Sequence, residues 1–207
     1  MHLTFNSYYS LRFGTLSIEQ ITGIATNAGS EAVLMADINN TTGIIDFVKA
    51  CRKAGIHPMA VVEFREGNRL LYTGIAQNNK GFKELNELLS RCNLQGTPLP
   101  WPAPPFKNVF VLYPFGSRQI NEMAENELIG VSPADAGKLL MSEYSKFPDR
   151  FVIHAPFTFA DENGYELHRY LRAIDNNILL SRLTAEMVAG SSRMFTEQIG
   201  RASCRER

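Results

Sequence analysis

The stretch AVLMADINNTTG, residues 32–43, decides the fold, because an apolar run ends there at an acidic residue, Asp37, and a small polar loop follows. The next apolar run, PMAVVE over residues 58–63, ends at a second carboxylate, Glu63. Between them, residues 44–54 repeat apolar side chains at helical spacing, so the pattern predicts strand, helix, strand. Strands joined in this way lie parallel, and their carboxyl ends share one face. We therefore expect Asp37 and Glu63 to point into one pocket.

The composition is that of one domain without net charge. The chain has 207 residues, 44% of them hydrophobic, which suffices for one good core and leaves little room for two domains. No apolar run approaches the roughly 18 residues that a membrane span needs. Lysine plus arginine equal aspartate plus glutamate at 21 each, so no positive excess attracts a polyanion. We expect neither membrane insertion nor direct contact of this segment with nucleic acid.

The amino terminus and the cysteines indicate a cytoplasmic protein. The first residues, MHLTFN, lack the basic flank and long apolar stretch of a secretory signal. Cys51, Cys92 and Cys204 are odd in number and show no metal-type spacing, which argues against a disulfide framework. None of them has a histidine within motif distance, so a thiol nucleophile has no support.

Strands and helices alternate along the rest of the chain. Ser17 and Gln20 predict a capping box that opens a helix ending at Gly29. Five prolines between residues 93 and 107 forbid regular structure, so we expect a surface loop anchored by Trp101. The alternation predicts an α/β fold with a parallel sheet but does not separate an open sheet from a barrel. Further strands are predicted over residues 3–6, 69–76, 108–113, 128–131 and 151–154, with helices after Asn79 and Ser132 and from Asn163 to Ala173.

Three separated segments resemble one family in order and spacing. They are NSYYSL at residues 6–11, FVKACRKAGIHP at residues 47–58 and YELHRYLRAI at residues 165–174. On them the chain resembles the PHP (polymerase and histidinol phosphatase) domain that begins bacterial DNA polymerase III alpha subunits. The resemblance implies a PHP-type distorted β/α barrel, TIM-like with about seven units, which we expect to be incomplete at its carboxyl end.

The resemblance also suggests where the family sequence ends. We interpret residues 1–197 as the amino-terminal PHP-like part of a longer polymerase. Residues 198–207, QIGRASCRER, have no apolar periodicity and match the translation of a common sequencing adapter. We therefore expect a non-native tail and leave it out of the fold prediction.

The family's metal site is implied to be degenerate here. Metal-dependent PHP domains hold a cluster of metals on histidines and carboxylates and hydrolyse phosphoesters with metal-activated water. Of those ligands this chain keeps Asp37 and Glu63, so we expect a vestigial site with no cofactor, or at most a weakly held Mg²⁺. No catalytic residue is assigned. The positions that lack a family ligand are Thr4, Asn6, Ile38, Leu71 and Pro156-Phe157-Thr158.

Structural roles for the same residues stay open. Asp37 could cap the following turn through Asn39, and Glu63 could pair with an arginine at the barrel mouth. His154 ends a predicted strand and could face the pocket, although a single histidine there is more often hydrogen-bonded structure. His168 lies on a predicted helix, where it would pack or be solvated. None of the histidines forms a pair at metal-ligand spacing.

The function that the resemblance implies is scaffolding in DNA replication. In the family this domain packs against the polymerase core, belongs to the replisome and can dock a proofreading exonuclease. The parent protein would be a DNA-directed DNA polymerase, a nucleotidyltransferase whose palm carboxylates this chain does not contain. Two alternatives remain: an active metal-dependent phosphoesterase that uses Asp37 and Glu63, and a freestanding interaction module with a native stop near Gln198.

Overall fold

The computed structural model of the protein describes residues 2–195. The chain divides into two compact units. Unit 1 comprises the residues up to Ala60 together with those from Pro156 onward, and unit 2 comprises Val61–Ala155. The predicted end of the PHP-like part at Glu197 and the tail after it lie outside the described residues.

Unit 1 opens with the first predicted strand and helix. The strand β1 (His2–Phe5) pairs in parallel with β2 (Ala32–Ile38), and the helix α1 (Ile18–Asn27) connects them. The predicted capping box is confirmed: Ser17 Oγ accepts a hydrogen bond from the Gln20 N–H at 3.1 Å, and the Gln20 side chain accepts one from the Ser17 N–H at 2.9 Å. Every residue of β2 except Ile38 is buried, as expected for a parallel strand covered on both faces.

The helix and strand predicted after Asp37 are also present. The helix α2 (Ile44–Ala54) ends at Gly55, which caps it with a left-handed φ of 73°. The strand β3 (His57–Glu66) follows and runs from unit 1 into unit 2. It is longer than the predicted apolar run, so Glu63 lies inside the strand rather than at its end.

The strands of unit 2 correct the expectation of a parallel sheet. The strand β4 (Arg69–Ala76) pairs antiparallel with both β3 and β5 (Val109–Pro114). The turn at Gly67 and Asn68 explains the difference, because a two-residue connection joins only antiparallel strands. Parallel pairing holds for β5 with β6 (Glu127–Val131) and for β6 with β7 (Phe151–Ile153).

The core of unit 2 lies between the strands and the helix α3 (Asn79–Gln95), whose N-cap is Asn78 rather than the predicted Asn79. Residues 97–108 of the proline-rich segment form no helix or strand, as predicted. Trp101 packs edge-on against Tyr113 with ring centroids 5.4 Å apart, and 40% of its surface stays exposed. The tryptophan therefore anchors the loop. The helix predicted after Ser132 is the short α4 (Ala136–Leu140).

Unit 1 is completed by the helix α5 (Glu162–Asp175), which Asp161 caps by accepting a hydrogen bond from the Gly164 N–H at 2.8 Å. Before it, Phe157 forms a parallel bridge with Phe5 of β1. In residues 2–195, no helix combines the length and the apolar character that crossing a membrane requires.

The carboxylate of Glu84 makes the stability of unit 2 pH-dependent. Burial alone would raise its pKa, but hydrogen bonds from the Asn108 side chain and from the Lys107 and Asn108 N–H groups lower the pKa overall. A lowered folded-state pKa stabilises the fold above the unfolded value of about 4.3, and this contribution is lost as the pH falls through the folded value.

We expect Glu84→Gln to lose part of the acid dependence of the urea unfolding midpoint. Glu87→Gln, at an exposed site on the same helix, is the control. An acid limb in Glu84→Gln identical to that of the wild type would contradict this role.

Candidate functional site

Asp37 is the centre of a buried hydrogen-bond network in unit 1, called here the Asp37 network (Ser7, Ser10 and Asp37). The Asp37 side chain is 1% exposed. It accepts hydrogen bonds from the Ser7 N–H at 2.8 Å, the Ser7 hydroxyl at 2.8 Å and the Ser10 hydroxyl at 2.7 Å. Ser10 Oγ in turn accepts one from the Ile38 N–H at 3.1 Å. The carboxylate thereby holds the loop after β1 against the end of β2.

The loop that carries these serines has a tight path. A Cβ at Gly14 would lie 1.8 Å from the Ser7 carbonyl oxygen, so no larger residue fits without moving the backbone. The turn after Asp37 has a cap of its own, since Asn40 Oδ1 accepts a hydrogen bond from the Thr42 N–H at 3.0 Å. These partners of Asp37 are protein donors, and hydrogen bonds of this kind stabilise an ionised carboxylate.

Asn6 stands where metal-dependent relatives are expected to have an imidazole, and its amide is fully buried. Its nitrogen donates to the Ala36 carbonyl, and its oxygen accepts from the Thr158 hydroxyl at 3.1 Å. The Arg193 guanidinium also donates to that oxygen, at 3.3 Å. Both ends of the amide are therefore committed to the protein.

Glu63 lies in unit 2 and forms a buried ion pair, which confirms the predicted pairing with an arginine. Both Nε and Nη2 of Arg65 donate to Glu63 Oε2, at 2.8 and 2.5 Å. Glu63 is 0% and Arg65 8% exposed. Side chains two residues apart on a strand point to the same face, and a register shift between Phe64 and Arg65 adds local twist there.

Two further polar residues accompany this pair. Thr73 of β4 lies directly opposite Glu63, and its hydroxyl is 3.4 Å from His154 Nε2. Gly130 leaves the room that His154 needs, because a Cβ there would come within 3.0 Å of the His154 Cβ. We call Glu63, Arg65, Thr73 and His154 the Glu63 cluster. The histidine is hydrogen-bonded, as its structural interpretation predicts.

The residues present do not fit the metal cluster of the family. Leu71 is buried in the core of unit 2, and Ile38 packs against the cluster of Phe13, Phe159 and Ala189. Among the described residues, no three histidine, cysteine, aspartate or glutamate side chains come together as ligands. Asp37 and Glu63 belong to different units, so their sharing one pocket stays a prediction.

Burial makes Cys51 and Tyr113 poor nucleophiles. Burial raises the pKa of the Cys51 thiol to about 11, so at neutral pH it is the unreactive thiol rather than the thiolate. Burial also raises the pKa of Tyr113 to about 12, and this phenol accepts from the Ala103 N–H and donates to Glu127. Cys51 is a packed core residue, and Tyr113 is a buried hydrogen-bonding residue.

His168 is a structural residue whose bridging role sequence reasoning missed. It is fully buried on α5, with its ring edge-on to Phe13 at 4.8 Å between centroids. Nδ1 lies 2.6 Å from the Phe13 carbonyl oxygen, and Nε2 accepts from the Ala189 N–H at 2.8 Å. These partners require a neutral ring that carries its proton on Nδ1. The ring thereby ties three distant segments of unit 1 together.

Replacing His168 by leucine should lower the free energy of unfolding by about 2–3 kcal/mol, because the Phe13 carbonyl and the Ala189 N–H lose buried partners. Urea denaturation measures the effect. Glu166→Gln, at an exposed position on the same helix, is the matched control and should change stability by less than about 0.5 kcal/mol. Equal stability of His168→Leu and the control would show that the bridge contributes nothing.

Comparison with known proteins places these networks in a family context. A family model described as PHP domain matches residues 2–180. DNA polymerase III subunit alpha from Pseudomonas fluorescens is 26% identical over 211 residues, which cover 96% of this chain and 17% of that protein. The same subunit from Neisseria meningitidis serogroup B is 31% identical over 96 residues, covering 42% of this chain and 8% of that protein. The chain thus spans a small part of the length of the curated relatives that it matches.

Solved structures show a partial likeness. An amidohydrolase from Chromobacterium violaceum aligns with a TM-score of 0.34 at 19% identity, over 45% of this chain and 34% of that chain. Agreement at this level supports no conclusion about function.

Proposed function

Since this chain belongs to the PHP domain family, we propose that it is the amino-terminal structural domain of a DNA polymerase III alpha subunit and acts as a scaffold in DNA replication. The observation that carries the proposal is the alignment of 96% of the chain with one such subunit. The family match also confirms the predicted fold class, a PHP-type β/α fold.

The geometry of the two carboxylates supports a structural rather than a catalytic role. Asp37 accepts hydrogen bonds from three donor groups of Ser7 and Ser10, and Glu63 accepts two from the Arg65 guanidinium. A metal-activated water needs a cation on open ligands, and these oxygens instead stabilise a loop and a strand. Scaffolding requires only that the domain folds and presents a surface.

The partners follow from this role. The rest of the polymerase chain is the first partner of such a domain, and replisome subunits such as a proofreading exonuclease are further ones. Nucleotidyl transfer would belong to other parts of the parent polymerase. A replicative polymerase acts on the chromosome, so we place the protein in the bacterial cytoplasm.

Resequencing the source gene across and beyond codon 197 tests this proposal. The expected result is a reading frame that continues into a long polymerase containing palm carboxylates, with residues 198–207 absent from the genome. A native stop codon directly after Arg207 would contradict it and favour a freestanding module.

A further inference from the structure

The guanidinium of Arg65 lies against one oxygen, Oε2, of the buried Glu63 carboxylate. We infer that Arg65 supplies, from within the protein, the positive charge that a divalent cation supplies to this glutamate in metal-dependent PHP domains, so that Glu63 binds no metal in this chain. The inference rests on the proposed function only through the correspondence of Glu63 with the family's glutamate.

The contact between Arg65 and Glu63 is close and buried. Two nitrogens of one guanidinium donate to the same oxygen, Glu63 Oε2, and both side chains are buried. A buried carboxylate needs a compensating charge, and arginine keeps its charge at every pH at which proteins fold. Because Arg65 lies two residues from Glu63 in the same chain, the effective concentration of its guanidinium at the carboxylate does not depend on the solution. A cation entering from water would have to compete with it for Oε2.

The residues around the Arg65–Glu63 pair also bear on whether a cation could bind there. The residue opposite Glu63 is Thr73, which brings a neutral hydroxyl, and the next family position on β4 is the buried Leu71. His154 reaches Thr73 and offers one nitrogen that is already hydrogen-bonded. Mg²⁺ demands near-ideal octahedral oxygen geometry and gives up its water reluctantly. The Glu63 cluster therefore suits a guanidinium better than a hydrated cation.

Unit 1 offers an independent parallel. There the Arg193 guanidinium donates to Asn6, the residue that replaces a family imidazole, and the Arg193 carbonyl accepts from the Thr158 N–H at 2.9 Å. Thr158 also donates through its hydroxyl to Asn6. An arginine guanidinium therefore contacts both the retained ligand residue, Glu63, and the substituted one, Asn6.

The experiment is a thermal unfolding series in Mn²⁺ and in EDTA. The wild-type unfolding midpoint should be the same in Mn²⁺ and in EDTA. The midpoint of Arg65→Met should be higher in Mn²⁺ than in EDTA, because its buried Glu63 carboxylate has lost the guanidinium. In the double variant Glu63→Met/Arg65→Met the Mn²⁺ response should vanish. Lys83→Met, at an exposed lysine of unit 2, controls for the loss of a positive charge.

Two results would overturn the inference. The first is a saturable Mn²⁺ stabilisation of the wild type that Glu63→Gln abolishes, and the second is an Arg65→Met protein that shows no Mn²⁺ response. If Arg65→Met does not fold, Arg65→Lys replaces it, because lysine keeps the positive charge. Arg65→Lys should unfold at the same midpoint in Mn²⁺ and in EDTA. A Mn²⁺ response of Arg65→Lys that depends on Glu63 would overturn the inference. None of these results depends on whether the gene continues into a polymerase, so the inference and the proposed function can fail separately.

Discussion

Replacing Arg65 by methionine should lower the free energy of unfolding by about 3–5 kcal/mol, because it leaves the Glu63 carboxylate buried without its two guanidinium donors. Glu63→Met should lower the free energy of unfolding by a similar amount, because it leaves the Arg65 guanidinium buried without the Glu63 carboxylate. The size of the effect comes from burial: neither side chain exposes more than 8% of its surface. Urea denaturation followed by circular dichroism measures it.

Removing both partners tests the physical reason for this loss. The double variant Glu63→Met/Arg65→Met buries no charge, so it should be far more stable than either single variant. Lys83→Met should be close to the wild type, because its ion pair with Glu87 is exposed. Additive losses in the double variant would contradict the pairing.

Asp37→Ala should cost about 3–4 kcal/mol, because three buried donors of Ser7 and Ser10 lose their acceptor at once. The loop after β1 would then lose its tie to the end of β2. Asp37→Asn should cost less, since its amide oxygen can still accept from the Ser7 N–H. Denaturant unfolding of both variants, followed by far-ultraviolet circular dichroism, measures which of the two loses more stability.

A control at an exposed aspartate separates burial from charge. Asp46 pairs with Lys49 at the surface of α2, and its side chain is 61% exposed. Asp46→Ala should therefore change stability by no more than about 0.5 kcal/mol. An Asp37→Ala protein as stable as Asp46→Ala would refute the structural role of the Asp37 network.

Local patterns predicted most of the fold. The strands and helices around Asp37 and the Ser17 capping box follow from period and cap chemistry, which act over a few residues. The direction of β4 did not follow, because alternating strands and helices predict parallel pairing, whereas no helix separates β3 from β4. The two-residue turn at Gly67 and Asn68 was the signal for antiparallel pairing, and it was present in the sequence.

The sequence predicted the two acids of the candidate site and an arginine partner for Glu63, but it did not predict the partners of Asp37. Asp37 and Glu63 were found because they end or interrupt apolar runs. Ser7 and Ser10 lie about 30 positions from Asp37 in sequence, so only the folded chain brings them to it. His168 gave no local signal for its bridge, since its partners, Phe13 and Ala189, come from distant segments.

The two networks are consistent with our proposal that this domain keeps its fold without a metal site. Asp37 is hydrogen-bonded by Ser7 and Ser10, Glu63 is paired with Arg65, and an apolar side chain fills another ligand position, Leu71. A metal cluster binds a domain together as well as activating water, so its loss requires replacement contacts. The Asp37 network and the Arg65 pair supply such contacts in this chain.

The most direct test of a structural rather than catalytic PHP domain is hydrolysis of a generic phosphomonoester by the purified protein in the presence of Mn²⁺. We expect no rate above buffer in the wild type, Asp37→Asn, Glu63→Gln or the Lys83→Met control. Turnover by the wild type and by Lys83→Met that disappears in both Asp37→Asn and Glu63→Gln would contradict the account and establish an active phosphoesterase.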